Sequence, residues 1–276
     1  MEEIHQHCKT DYVKVQSKFL KFTLGVAKTS STSACLRELG QYPIFIKAYS
    51  QCLTYFHRLE KSQIAGDNVL IAAAHKEMKV NKQQWVESMQ YILTRNWLGN
   101  VYYNINKYTV QHVKGMVTDR LRVIYKQENA SMIAEKDHLN VLHECVKNKD
   151  FSQSKYLKVI KSPTIRSTFT KIRINASKFS KNPYTKISTL LVCDHCNERE
   201  DVKHVLLNCP KYLNERKEYI ECIDKHVKSF KNKSDNNKLI KMLNLDVGEY
   251  DEIITNELVC KTASFVCKTY QKHVNN

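Results

Sequence analysis

Along this chain apolar residues recur at intervals of three and four, the spacing of one buried face of an α-helix, rather than in alternation. Tyr12, Val15, Phe19 and Phe22 make a first stripe, which Gly25 interrupts. The stretch TSSTSACLRELGQYP predicts a short helix with Ser33 as its N-cap and Gly40 as its stop. Pro43 then opens a longer helix whose expected inner face is Ile44, Ala48, Cys52, Phe56 and Leu59. Trp85, Met89, Ile92 and Leu93 mark another. Val110, Val113, Val117, Leu121 and Ile124 give the cleanest stripe, and Leu139, Leu142 and Val146 follow it. Ser162-Pro163 reads as a helix start, with Ile165, Phe169, Ile172 and Ala176 on the face behind it. Tyr212, Tyr219, Ile223, Val227 and Phe230, then Ile254, Leu258 and Phe265, mark the last two.

Six Gly and four Pro in 276 residues are few for a strand-rich fold with many tight turns. The expectation is an all-α, irregular helical bundle with a small C-terminal Cys-Cys-His-Cys zinc-binding unit. Boundary signals are the polar stretch Gly99–Asn106 and the segment Ser177–Ser188. The second divides the chain into a helical body, 1–176, and a zinc-binding basic tail with C-terminal helices, 177–276. Lys231–Lys238 reads as an exposed loop. With 42% hydrophobic residues a core is attainable. No apolar run reaches the roughly 18 residues of a membrane span, so no membrane contact is expected. The first residues, MEEIHQHCKTDY, have no signal-peptide core, which predicts an intracellular protein of cytoplasm or nucleus. In that reducing setting the cysteines outside the one cluster read as buried thiols, Cys260 and Cys267 included.

That cluster is VCDHCNEREDVKHVLLNCP. Two thiolates separated by two residues can grip one Zn²⁺ from a tight turn, and a returning imidazole and third thiolate complete a tetrahedron. Cys193, Cys196, His204 and Cys209 are therefore the candidate ligands, with His195 as a poorly placed alternative. Four protein ligands leave no open position, so the zinc is expected to be structural. His204 and Cys209 would point apart on a continuous helix, so a helix end is expected between them, reinforced by Pro210.

Charge adds a partner. The chain carries 44 Lys+Arg against 28 Asp+Glu, a net charge of +16, which favours polyanions. From Lys155 to Lys186 there are nine Lys or Arg and no acid. Within that run Lys171, Arg173, Lys178, Lys181 and Lys186 are the candidate phosphate contacts of an RNA or DNA surface. Lys225, Lys228, Lys231, Lys233, Lys238 and Lys241 form a second basic cluster. The acidic group Asp246, Glu249, Asp251 and Glu252 reads as a solvated loop or helix start, with a cation site as the alternative, and His5, His7 and Cys8 as a mobile terminus, with a metal-binding fragment as the alternative.

Polymerase, phosphate-loop, hydrolase-elbow and His-Glu-x-x-His signatures are absent from the sequence, so no enzyme is expected. The segment CLRELGQYPIFIKAYSQCLTYFHRL resembles a stretch in the reverse-transcriptase-like polyproteins of non-LTR (LINE-type) retrotransposons, through Glu38, Leu39, Gly40, Tyr42, Pro43, Phe56, Arg58 and Leu59. FTKIRINASKF (Phe169–Phe179) is similar to a later helix of that family, and Cys193 to Pro210 looks like its zinc-binding tail. The three patches stand in the family's order. Departures are Gln41, where relatives carry Arg, and SKNPYTKISTLLV before the first cysteine. The resemblance implies a C-terminal accessory region that binds nucleic acid, lacks its own palm and nuclease, and works with a separate polymerase chain. A helical protein-interaction scaffold with a purely structural zinc is the alternative.

Overall fold

The structure, a computed structural model, describes residues 11–65, 69–70, 73, 76–77, 84–176, 192–227, 229–244 and 251–274. All regular elements among these are helical, and the sole β pairing is the isolated bridge between Val192 and Arg199. The helices are α1 (Asp11–Leu24), α2 (Thr32–Leu39), α3 (Ile44–Ala65), α4 (Gln84–Arg95), α5 (Gly99–Tyr103), α6 (Val110–Ala134) and α7 (Asn140–Val146). After them come α8 (Tyr156–Val159), α9 (Pro163–Arg173), α10 (Leu213–Asp224), α11 (Asp235–Leu243) and α12 (Glu252–Val274). Two compact units result, and neither is continuous in sequence. Unit 1 is Met1–Gln16 with Tyr42–Glu128, and unit 2 is Ser17–Gln41 with Asn129–Asn276. Unit 2 thus draws residues from both sides of the boundary expected at 176/177. The segment 177–188 itself lies outside the described residues.

Unit 1 is organised by α3, which packs on α4 and on the 3-10 turn Ile105–Lys107, while α4 packs on α5. The stripe of α6 is buried as expected at Val113, Val117 and Leu121, while Val110 and Ile124 are half-buried and Tyr125 takes the inner place beyond Leu121. On α3 the face is as expected at Phe56 and Leu59 but shifts before them. Ile44 and Cys52 are exposed, and Phe45, Ile46 and Leu53 are buried in their place. Aromatic area explains the rotation, since each ring buries more surface than an aliphatic side chain. Phe45 meets Tyr125 edge-on at 6.5 Å, and Phe56 stacks on Tyr102 at 5.5 Å and 8°. The backbone of α4 is as predicted, but the side chains of Trp85 and Met89 lie outside those described.

In unit 2 the spine is α12, against which α8, α9 and α10 pack, while α7 packs on α11. Leu258, Val259, Ala263, Val266 and Cys267 are buried along it. Phe265 stacks on Tyr219 at 4.5 Å and 9°, and the Tyr219 hydroxyl lies 3.0 Å from Thr262 Oγ1. Ser162 caps α9 and Pro163 starts it, as the sequence predicts. The N-cap of α2 is Ser31 rather than Ser33: Ser31 Oγ accepts from Ala34 N, while the Ser33 hydroxyl turns to Met132 Sδ at 3.6 Å. Gly40 does end that helix, at φ +61°, and a Cβ there would run into the backbone of Ser152 and Gln153. Among the cysteines outside the cluster, Cys35, Cys145 and Cys267 are buried, but Cys52 and Cys260 are exposed and Cys222 is half-buried. Burial pushes the Cys35 thiol up to about 12.

Helix α1 reverses the expected stripe. Tyr12, Val15, Phe19 and Phe22 are exposed, Phe22 to 83%, and Val13, Leu20 and Leu24 are buried instead. Polar neighbours on the buried side decide this. Gln16 donates to the Tyr42 carbonyl and accepts from Ile44 N, and Ser17 Oγ lies 2.8 Å from Thr32 Oγ1. A helix with two apolar faces buries the one whose polar residues also find partners.

Candidate metal centre

The cluster begins with a tight turn. Cys193 N donates to the Glu198 carbonyl at 2.8 Å and Asn197 N to the Cys193 carbonyl at 2.9 Å. Asn197 takes the left-handed φ of 57° that this reversal demands, which Asn tolerates better than other side chains. Cys193 and Cys196 are thereby brought to one side. His204 follows on a helical segment whose entry is capped by Asp201, Oδ1 accepting from His204 N at 2.8 Å.

The helical segment does end between His204 and Cys209, as expected, with Asn208 its last residue, but it ends through a widened turn. Residues His204–Asn208 form a π-helical turn, and Cys209 N donates to the His204 carbonyl at 2.8 Å. On an α-helix two positions five apart point about 140° from each other. Closing the turn with an i→i+5 bond widens it until they share a face, a device common at functional sites. Only then does the 3-10 turn Pro210–Tyr212 redirect the chain. Val205 and Leu206, inside this turn, are fully buried, and the turn packs on α11 and α12.

The four ligand atoms lie within 4.8 Å of one another. Cys193 Sγ is 3.7 Å from Cys209 Sγ, and Cys196 Sγ is 3.2 Å from His204 Nε2. Metal–sulfur bonds of about 2.3 Å at tetrahedral angles place two sulfurs about 3.8 Å apart, so the thiol spacing fits a single ion. The cluster could hold a metal ion; His195 is exposed and outside it. His204 Nδ1 is 3.1 Å from Glu198 Oε2, and a proton held there leaves Nε2 free to ligate.

Electrostatics favour ionised sulfur at Cys193 and oppose it at Cys209. Burial disfavours the Cys193 thiolate, but the amides of His195 and Cys196 and the His204 side chain outweigh it and bring the thiol down to about 7. Burial, with Cys193 beside it, pushes Cys209 up to about 11 against the amide of Lys211. Three thiolates and a divalent ion would carry a net charge of −1. Arg216 stands beside the cluster: its guanidinium is buried, Nη2 donates to the Cys209 carbonyl, and Nη1 has no hydrogen-bond partner. Burial pushes its pKa down, which the Cys209 thiolate and then Glu215 resist.

Of the candidate phosphate contacts, Arg173 must be reassigned. It is 3% exposed and its Nε donates to Glu38 Oε1 at 2.8 Å, with Glu38 fully buried. It also donates to the Leu243 carbonyl and lies over the Tyr156 ring at 5.1 Å. A cation so enclosed serves the core, and Glu38 overcomes burial to hold its pKa above the usual arginine value. Lys171 is half-buried on α9, while Lys178, Lys181 and Lys186 lie outside the described residues. Lys158, Lys161 and Lys225 are exposed, Lys231 pairs with Asp224 at 3.2 Å, and Lys238 with Asp235 at 3.7 Å. Asp246 and Glu249 of the acidic group, and His5, His7 and Cys8, also lie outside the described residues.

Sequence reasoning missed Glu198, Asp201 and Arg216. Only Asp201 had a local signal, the three-residue spacing of a cap before His204. No helix among the described residues is long and apolar enough to cross a membrane. No protein-family model, curated protein or solved structure matches the chain.

Proposed function

We propose that this chain is a zinc-stabilised nucleic-acid-binding region that acts by binding rather than turnover, similar to the tail of a non-LTR retrotransposon reverse transcriptase. The observation that carries the reading is the closed Cys3His cluster between basic segments. Soft thiolates with one imidazole in a tetrahedral set suit Zn²⁺, and four protein ligands leave no place for substrate. Zinc would hold the Cys193 turn against the π-turn, and with it the start of the chain's second lysine cluster. Lys171, Lys178, Lys181 and Lys186 are the proposed phosphate contacts, with RNA or DNA as partner and a polymerase on a separate chain.

Filter binding at increasing salt tests the proposal. Each phosphate neutralised steepens log K against log[salt] by about 0.7 to 0.9, so Lys178→Ala, Lys181→Ala and Lys186→Ala together should flatten the slope by about 2 to 3. Binding that is absent at low salt, or indifferent to salt, removes the proposal. One observation favours a protein-interaction scaffold instead, the exposed stripe of α1. If Phe19→Ser with Phe22→Ser leaves mass in solution and solubility unchanged, that second reading falls.

A further inference from the structure

Four helices end in one way. After α1, α2 and α9 the chain turns through Gly25, Gly40 and Asn175, at φ 65°, 61° and 50°. In each the turning amide bonds three residues back and the next amide five back, as with Gly40 N to Arg37 O and Gln41 N to Leu36 O. This is the Schellman closure, in which glycine is preferred because a Cβ crowds the left-handed conformation. After α4 the same two bonds form, Trp97 N to Thr94 O at 3.2 Å and Leu98 N to Leu93 O at 2.8 Å, but the turning residue is a tryptophan at φ 63°. Its side chain is 85% exposed, so burial returns nothing for the strain.

The surroundings say what such a ring would meet. From Ser88 to Thr118 the chain has no Asp or Glu, yet holds Arg95, Lys107 and Lys114 among Tyr91, Trp97, Tyr102, Tyr103 and Tyr108. Tyr91 and Tyr103 are exposed. Arg95 lies over the Tyr91 ring at 5.8 Å and donates to its hydroxyl, and Gln90 donates to the Tyr103 hydroxyl at 3.0 Å. The turn is held in place by Arg120, whose Nε donates to the Asn96 carbonyl at 3.2 Å. Exposed rings beside a cation, in a span that itself carries no carboxylate though Glu87 precedes it on α4 and Glu60 acts on Tyr102, suit flat, apolar faces carried on phosphates.

We infer that Trp97, exposed in the same span of chain as Tyr91, Arg95 and Tyr103, is a stacking platform in unit 1 for the unpaired bases of single-stranded nucleic acid. It rests on the nucleic-acid reading for the identity of its partner, but not on the zinc centre or the lysine run.

The glycine preference of the turn supplies a clean test. Trp97→Gly removes the ring and relieves the backbone, so the full chain should melt at the same or a higher temperature. Titrated with a short oligo(dT) or oligo(U), it should bind about 5- to 150-fold more weakly than the wild type, the loss expected for one stacked base. Salt dependence should not change, Trp97→Phe should retain most of the affinity, and the wild-type indole emission should be quenched by single strands more than by a duplex of equal length. If Trp97→Gly binds as the wild type does, with the salt slope intact, the platform is overturned while the lysine surface stands, and the aromatic patch passes to a protein partner. A wild-type chain that binds no oligonucleotide overturns both. A lowered melting temperature with equal loss in Trp97→Phe makes the ring structural and also overturns the inference.

Discussion

Unit 1 fills its interior mainly with aliphatic side chains and a few rings, Phe56 on Tyr102 and Phe45 against Tyr125, with His57 and Glu60 also buried, whereas unit 2 encloses a carboxylate and a guanidinium as an ion pair. Glu38 is enclosed with Arg173, and the buried Arg216 donates to the carbonyl of Cys209, a member of the thiol cluster. The two kinds of interior fail differently. An apolar core loses stability in proportion to the contacts removed and tolerates swaps of similar volume. A buried charge depends on one partner, and removing that partner leaves a desolvation cost that nothing else can meet.

Metal removal should separate the units most sharply. Apparent binding free energies of structural zinc reach about 10–16 kcal/mol in small peptides, so chelation or Cys209→Ser should collapse the segment from Cys193 through α10. Amide exchange should show protection lost there and on α12 before α3 or α6 of unit 1. Uniform loss across both units, or none, would erase the contrast.

Next in size is the buried pair. Glu38→Ala strands Arg173 and should cost about 3–5 kcal/mol in urea unfolding, whereas Glu38→Met with Arg173→Met should recover most of it. Leu53→Met in the core of unit 1 should cost less than about 1.5 kcal/mol. Equal costs would show that the two interiors do not differ in kind.

The smallest effect is one of pH. Burial pushes His273 below the ordinary histidine value, Glu200 opposing it at 3.7 Å and Lys211 reinforcing it. The unfolded chain therefore takes up this proton first as pH falls. Stability is fully present above the ordinary value near 6.5 and declines below it, through the lower folded value. His273→Gln should flatten that part of the profile for unit 2; a profile unchanged by the substitution would rule out His273 as its source.

Much of this was legible because local chemistry states it. Ser162-Pro163 starts a helix and Gly40 ends one wherever they fold, and the α6 stripe has one apolar face, so its inward side was unambiguous. The thiol and imidazole spacing named the metal centre because few other arrangements of Cys193, Cys196, His204 and Cys209 serve a purpose. Helix α1 was not legible in this way: Tyr12, Val15, Phe19 and Phe22 compete with Val13, Leu20 and Leu24, and the choice rests on partners of Gln16 and Ser17 that are distant in sequence. Arg173 read as one more cation in a basic run because Glu38 stands 135 positions away.

The sequence by itself determined the all-helical class, the helix starts at Pro43 and Ser162-Pro163, the stops at Gly25 and Gly40, and the four members of the cluster, all properties of residues close along the chain. Tertiary structure decided which face of α1 and α3 turns inward, that a π-turn aligns His204 with Cys209, that Arg216 lies against the centre, and that Arg173 belongs to the core. Each of these depends on burial and on a partner brought from elsewhere in the chain, and a charge or a ring has no fixed meaning until its surroundings are known.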